Sequence, residues 1–254
     1  MSILYPVSEK LSLTAALEPR KRTILCIPGT LISPRIFEAY AGPKGFQLAA
    51  VSWMTESGPW DIEGVASKIL ALIDRLELPE VFLVGHSAGG AICLSVALRR
   101  KLAGLVLSNT GANTATHGDP NYPQRILVSW DETMRRAQIR RCFVRMPPTE
   151  SLQMLDEYAD RCPRDGVFAA ATSLRRLDFA PSLAQIDCPV LLAFGRLDPV
   201  RTERDVEALR SGIAEASIAM LDAGHTPMME ASHDWNSAVN SWISSIDSLK
   251  HRPC

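Results

Sequence analysis

The sequence predicts an α/β chain, a mainly parallel, doubly wound sheet with a helical segment inserted into it. Short apolar strands alternate with helical stretches from Thr23 onward and again from Pro189 onward, the pattern of strand–crossover–strand units in a parallel sheet. Residues 115–182 break this alternation and are richer in arginine, methionine and proline. At 254 residues with 46% apolar content, the chain can bury one large core.

The elements follow in order. The first twenty residues are short for a full antiparallel hairpin, so the leading edge of the sheet is expected to be trimmed. Residues 23–27 and 47–51 read as strands. Asp61 caps a helix in which Ile62, Val65, Ala66, Ile69, Ile73 and Leu76 recur at helical spacing. Residues 81–86 form a buried strand that turns into an amphipathic helix through Leu98, and 104–107 form the next strand. Helical stretches are expected at 124–145, 149–160 and 166–177. Residues 189–195 and 216–221 are strands. Between them Thr202 and Asp205 form a capping box for a helix ended by Gly212. A last helix covers 235–246. The expected organisation is a core of residues 1–114 and 183–254, with 115–182 as a helical cap over the strand ends. No internal repeat or low-complexity segment interrupts it.

The segment Val84-Gly85-His86-Ser87-Ala88-Gly89-Gly90 carries the most chemical information. It places Gly-x-Ser-x-Gly at a strand-to-helix corner, where Ser87 must take a strained conformation and any Cβ at Gly85 or Gly89 would meet backbone. The corner exposes the Ser87 hydroxyl and aims the free N–H groups of a helix N-terminus at whatever bonds to it. A serine nucleophile needs a histidine to take its proton and a carboxylate to orient that histidine. Of five histidines, His86 is expected to point away from Ser87, His117 lies in a polar loop, His233 near a helix start and His251 in the tail. His225 follows a strand in the loop 222–227, from which an imidazole can swing over the sheet edge. Asp198 lies just past the end of strand 189–195, where open α/β sheets place functional groups. Asp222 is the rival acid, but three residues from His225 it has little room to face the imidazole. The order Ser87, Asp198, His225 is that of one serine-triad fold alone. Between Asp198 and His225 one strand and one helix fit, whereas the stretch from Ser87 to Asp198 requires an insertion. Oxyanion donors are expected from the Ala88 N–H and, in the loop after strand 23–27, from the Thr30 N–H, with Gly29 bending the backbone inward.

These motifs, together with Gly195-Arg196-Leu197-Asp198-Pro199-Val200 and Gly224-His225-Thr226-Pro227, resemble those of α/β-hydrolases over residues 24–243. A narrower likeness, to 3-oxoadipate enol-lactonases and related small carboxylic ester hydrolases, rests on Leu107-Ser108-Asn109-Thr110-Gly111-Ala112 and on Arg125-Ile126. Two departures stand out. Pro28 occupies a position where many relatives carry histidine, and residues 52–60, with Trp53 and Trp60, replace an acidic residue and an Arg-Gly-x-Gly-x-Ser turn, which could reshape the pocket mouth.

The resemblance implies a serine hydrolase acting on a small-molecule ester or lactone with no metal and no organic cofactor. C–C bond hydrolysis, lyase or cofactor-free oxygenase chemistry, and a ligand receptor built on the same fold, are the alternatives. Trp130, Met134, Phe143, Met146 and Phe168 are the candidate pocket-lining side chains of the cap. A formal net charge of −1 gives no electrostatic reason to expect nucleic acid. The pairs Arg135-Arg136, Arg140-Arg141 and Arg175-Arg176 read as solvated helix faces. No window approaches a membrane span, and the start lacks the basic and apolar runs of a signal peptide. Cysteines 26, 93, 142, 162, 188 and 254 lack metal or redox spacing and read as reduced thiols of a cytoplasmic protein, a monomer or homodimer.

Overall fold

The computed structural model describes residues 5–8, 11–115 and 119–250; His117, His251 and Cys254 lie outside them. Among the described residues, eight strands form one sheet: β1 (Tyr5–Ser8), β2 (Leu11–Leu13), β3 (Thr23–Ile27), β4 (Gln47–Ser52), β5 (Val81–His86), β6 (Gly104–Ser108), β7 (Val190–Gly195) and β8 (Ala216–Leu221). Their spatial order is β1-β2-β4-β3-β5-β6-β7-β8. The leading hairpin is present but short, as its sequence requires: β1 pairs antiparallel with β2, and β2 with β4, whereas all pairings from β4 to β8 are parallel. Strands β3, β5, β6 and β7 are buried along their whole length, the expected state of parallel strands covered on both faces.

Helix α1 (Ile62–Arg75) begins at Asp61, whose side chain accepts from the Gly64 N–H, and it buries the predicted apolar stripe. It packs on α2 (Ala88–Ala97). The expectation of an amphipathic α2 is not met: all ten of its residues are buried, because α2 is enclosed by the sheet and α1. Trp235 packs against Phe37 and Tyr40, and Trp242 edge-on against Phe82, which ties α9 (Ser232–Lys250) to the core.

Between β6 and β7 the chain runs through α3 (Tyr122–Val128), α4 (Glu132–Arg140), α5 (Thr149–Arg161) and α6 (Arg164–Arg176). The first predicted stretch splits in two, since Asp131 takes an extended conformation and caps α4 through the Met134 N–H. Arg140 holds α4 to α5 with a two-pronged contact to Asp156, 3.0 Å at each oxygen. Thr202 and Asp205 form the predicted capping box of α7 (Glu203–Gly212), and α8 (Pro227–Glu230) follows β8. Cys26, Cys93, Cys142, Cys162 and Cys188 are free thiols. Among the described residues, no helix is long and apolar enough to cross a membrane.

The chain passes from β3 to β4 in one direction and from β4 over β3 to β5 in the other, so the loops after β3 and β5 diverge. The crevice between them, at the C-terminal ends of the strands, is where open α/β sheets bind ligands.

Candidate active site

Ser87 sits at the corner between β5 and α2 with φ 54° and ψ −121°, a conformation that costs a non-glycine residue roughly 1–3 kcal/mol. The neighbouring strand holds it there. The Ser87 N–H donates to the Ser108 carbonyl at 3.0 Å, and the Ser87 carbonyl accepts from the Gly90 N–H at 2.9 Å and from Thr110 Oγ1 at 2.8 Å. The predicted glycines are obligatory by contact: a Cβ on Gly89 would lie 2.0 Å from the Ile27 oxygen, and one on Gly85 would lie 2.6 Å from the Gly89 oxygen.

The loop after β3 comes up against this corner. A Cβ on Gly29 would stand 3.0 Å from Ser87 Cβ and 3.4 Å from Ser87 Oγ. Trp53, fully buried, donates its indole N–H to the Pro28 carbonyl at 3.0 Å and so fixes the approach of Gly29 and Thr30. Trp60 donates to the Glu56 carbonyl at 2.8 Å. Neither tryptophan of the departing segment lines the cavity beside Ser87; both are taken up in packing.

Asp198 and His225 meet as the spacing predicts. His225 Nδ1 lies 2.7 Å from Asp198 Oδ2, with both side chains almost wholly buried. Asp198 Oδ2 also accepts from Asn109 Nδ2 at 2.7 Å, and Oδ1 from the Val200 N–H at 2.6 Å. Burial opposes ionisation of this carboxyl, but the hydrogen bonds from His225, Asn109 and Val200 outweigh it, and Asp198 titrates below its usual range. With Nδ1 engaged by a carboxylate, Nε2 is the His225 nitrogen left to face a hydroxyl. Asp222, the rival acid, instead pairs with Arg145 at 2.8 Å on the surface.

His86 forms no hydrogen bond with Ser87, its Nδ1 being buried without a partner, but it is not incidental. Its Nε2 donates to the His225 carbonyl at 2.9 Å, and the two rings stand 5.0 Å apart. Complete burial, then the neighbouring His225, push the His86 imidazole down to about 3, so it is neutral at ordinary pH. Asn109, at φ 49°, bridges three segments: besides Asp198 it reaches the Gly224 carbonyl at 3.3 Å and accepts from the Gly195 N–H at 3.2 Å. The sequence offered a signal for Asn109, the Leu107–Ala112 segment, but nothing that assigned it to the acid.

Ser87, Ala88, Thr30 and His225 line one cavity of about 190 Å³. Thr114, Tyr122, Gln138, Arg141 and Arg175 close it from the chain between β6 and β7, and Arg201 closes it from the loop after β7. None of the five side chains expected to line it does so. Met134 and Phe143 are buried in packing between elements. Trp130 and Phe168 pack half-buried against the core, with the Arg135 guanidinium 5.6 Å over the Trp130 ring. Met146 points to solvent at 53% exposure. The basic pairs also need correction: Arg135 and Arg140 form ion pairs with Asp160 and Asp156, whereas Arg141 and Arg175 face the cavity. Neighbouring residues on a helix point about 100° apart, so one member of a pair can reach an acid on the next helix while the other borders the cavity. Among the described residues, no cluster of three or more His, Cys, Asp or Glu side chains could hold a metal ion.

The fold agrees with a comparison across known families. The chain belongs to the alpha/beta hydrolase family, whose model matches residues 24–238. Among curated relatives, it is 24% identical over 194 residues to 3-oxoadipate enol-lactonase 2 of Acinetobacter baylyi, covering 74% of this chain and 72% of the relative. Among solved structures, it resembles an esterase from Exiguobacterium antarcticum (TM-score 0.80, 18% identity, 96% of this chain and 100% of the other). It also resembles an enol-lactonase from Burkholderia xenovorans (TM-score 0.80, 19% identity, 92% and 97%). At these identities the two structures speak for the fold.

Proposed function

We propose that this protein is a serine hydrolase that cleaves a small carboxylic ester or lactone through an acyl-enzyme on Ser87. The observation that carries the reading is the buried 2.7 Å contact between His225 Nδ1 and Asp198 in the cavity that Ser87 lines in a strained conformation. Esterases and enol-lactonases among its relatives favour the same bond class.

In this mechanism Ser87 Oγ attacks the carbonyl carbon while His225 Nε2 takes its proton, and Asp198 stabilises the imidazolium that forms. The N–H groups of Thr30 and Ala88 hold the oxyanion, each contributing a few kcal/mol to the transition state. Collapse of the tetrahedral intermediate breaks the C–O bond, and the leaving alkoxide, which in a lactone stays tethered to the acyl group, takes the proton from Nε2. Water, deprotonated by His225, then attacks the acyl-enzyme, releases the carboxylic acid and restores Ser87. The helices between β6 and β7 act as a cap that excludes water from the cavity. Its modest volume suits a small substrate, being below the roughly 300–1,000 Å³ of sites for drug-sized ligands.

The test is hydrolysis of p-nitrophenyl butyrate and δ-valerolactone by wild type and Ser87→Ala. A loss of about 10⁴- to 10⁶-fold in kcat on removing the serine is expected. Retention of most of the activity in Ser87→Ala, or no activity in wild type on either compound, would refute the reading.

A further inference from the structure

The cavity beside Ser87 has an excess of guanidinium groups that the acyl-transfer chemistry does not use. Arg141 comes from the end of α4, Arg175 from the last turn of α6 and Arg201 from the loop three residues past Asp198; all three line the same cavity. The one acidic side chain among its described lining residues is Asp119, whose oxygens accept from Arg125 at 2.9 Å and from the Asn121 N–H at 2.9 Å; its charge also acts on Arg175, without a hydrogen bond between the two side chains.

Each arginine retains capacity for an anion. Arg201 is 6% exposed, yet its Nε and Nη1 have no hydrogen-bond partner. Its contact with Asp205 is loose at 3.5 Å, and that carboxylate already accepts from the Thr202 N–H at 2.9 Å within the capping box. Arg175 donates to two backbone carbonyls, those of Asp119 at 2.7 Å and Ala171 at 3.4 Å, and lies 5.5 Å from the Tyr122 ring centroid. Its Nε is buried without a partner, and no carboxylate bonds it. Arg141 is exposed at the cavity wall and forms no ion pair with the described residues. Burial pulls the Arg175 and Arg201 guanidiniums below their usual value, and the positive charge of Arg141 acts in the same direction on both. Converging cations with buried, unbonded donors are costly in an empty site, and an arriving anion removes that cost.

We propose that Arg141, Arg175 and Arg201 form the binding site for a carboxylate carried by the substrate, distinct from its scissile carbonyl. Guanidinium forks match the planar, two-oxygen geometry of a carboxylate. The inference rests on the hydrolase reading and narrows it: the enzyme acts on the half-ester of a short dicarboxylic acid, or on an ester or lactone whose alcohol part bears the acid. Its hydrolysis then releases products that together carry one more negative charge than the substrate.

The experiment compares charged and neutral partners of near-equal shape. In the acyl arm, mono-p-nitrophenyl glutarate is set against p-nitrophenyl valerate. In the alcohol arm, 4-acetoxybenzoate is set against its methyl ester. A charge-assisted contact of this kind changes kcat/KM about 10- to 100-fold, so a preference of at least about 10-fold for the anion is expected in one arm. That preference should fall severalfold in Arg141→Met, a substitution at an exposed residue that leaves the buried Arg201–Asp205 pair intact. Ser87-dependent hydrolysis with no charge preference in either arm would overturn the carboxylate site and leave the hydrolase reading standing. If none of the four is hydrolysed, the hydrolase reading fails, and the thermal shift of wild type against Arg141→Met in glutarate decides the site. A rise in Tm that Arg141→Met abolishes supports it, and no rise overturns it. An equal or larger rise in inorganic phosphate alone would also overturn it, because the site would then select a phosphate group.

Discussion

Asn109 should be the most sensitive residue of the site outside the three proposed to carry the reaction. It is fully buried, and one side chain serves three partners: the carboxylate of Asp198 at 2.7 Å, the Gly224 carbonyl at 3.3 Å and the Gly195 N–H at 3.2 Å. Asn109→Ala removes all three. The lost bond to a charged group is worth about 1.5–3 kcal/mol, and each backbone group left unpaired about 1–3 kcal/mol. The residue also sits at φ 49°, which asparagine tolerates and alanine adopts at a further cost of about 1 kcal/mol. A water entering the vacated space recovers part of this, so a net loss of about 3–5 kcal/mol is expected, a large share of a domain's total stability. Asp198 keeps His225 and the Val200 N–H as partners, so kcat/KM for p-nitrophenyl butyrate should fall only about 10- to 100-fold. Asn109→Gly, which relieves the backbone strain while losing the same bonds, should be no less stable than Asn109→Ala. Urea unfolding midpoints at constant m-value give the stabilities. A loss below about 1 kcal/mol together with unchanged kcat/KM would refute the reasoning, since Asp198 would then be oriented without Asn109.

Three more outcomes follow from the same geometry. The His86 imidazole titrates at about 3 in the fold against an ordinary 6.5; the unfolded chain therefore binds more protons between those values, and the stability His86 contributes is present above pH 6.5 and lost as pH falls towards 3. His86→Gln, which retains a donor for the His225 carbonyl, should flatten the pH dependence of unfolding free energy in that window; an unchanged slope would assign it to other groups. Gly89→Ala drives a Cβ to 2.0 Å from the Ile27 oxygen and should cost more than about 4 kcal/mol or prevent folding, a prediction that a soluble variant with wild-type Tm would contradict. Trp53→Phe leaves the buried Pro28 carbonyl without its donor and should cost about 1–3 kcal/mol, with a larger loss in kcat than in binding if the Thr30 N–H serves the oxyanion. Equal losses in both would argue against that role.

The parts of this protein legible in its sequence are those written within a few neighbouring residues. Gly85 and Gly89 mark the corner at Ser87 because the close approach of backbone there admits no side chain. Asp61 and the Thr202–Asp205 pair mark helix starts because their side chains bond N–H groups two or three residues away. Strand alternation places Asp198 and His225 at the same edge of the sheet, and Asp222 is excluded by its nearness to His225. Where the sequence misled, the deciding interaction lies far away along the chain. Apolar residues between β6 and β7 suggested a pocket, yet Met134 and Phe143 are consumed in packing, while the cavity wall combines three arginines with other apolar residues, among them Leu31, Leu174 and Val200. The α2 pattern suggested a solvated face that α1 and the sheet cover.

Sequence alone thus determined the sheet, its helical insertion, the corner at Ser87 and the residues that meet beside it, because backbone preference and side-chain periodicity are local properties. Only the tertiary structure decided that His86 secures His225, that Asn109 holds Asp198, and that Arg141 and Arg175 border the cavity while Arg140 and Arg135 pair with acids. Which way a side chain faces depends on how its helix docks, and docking is fixed by the summed packing of elements far apart in the chain.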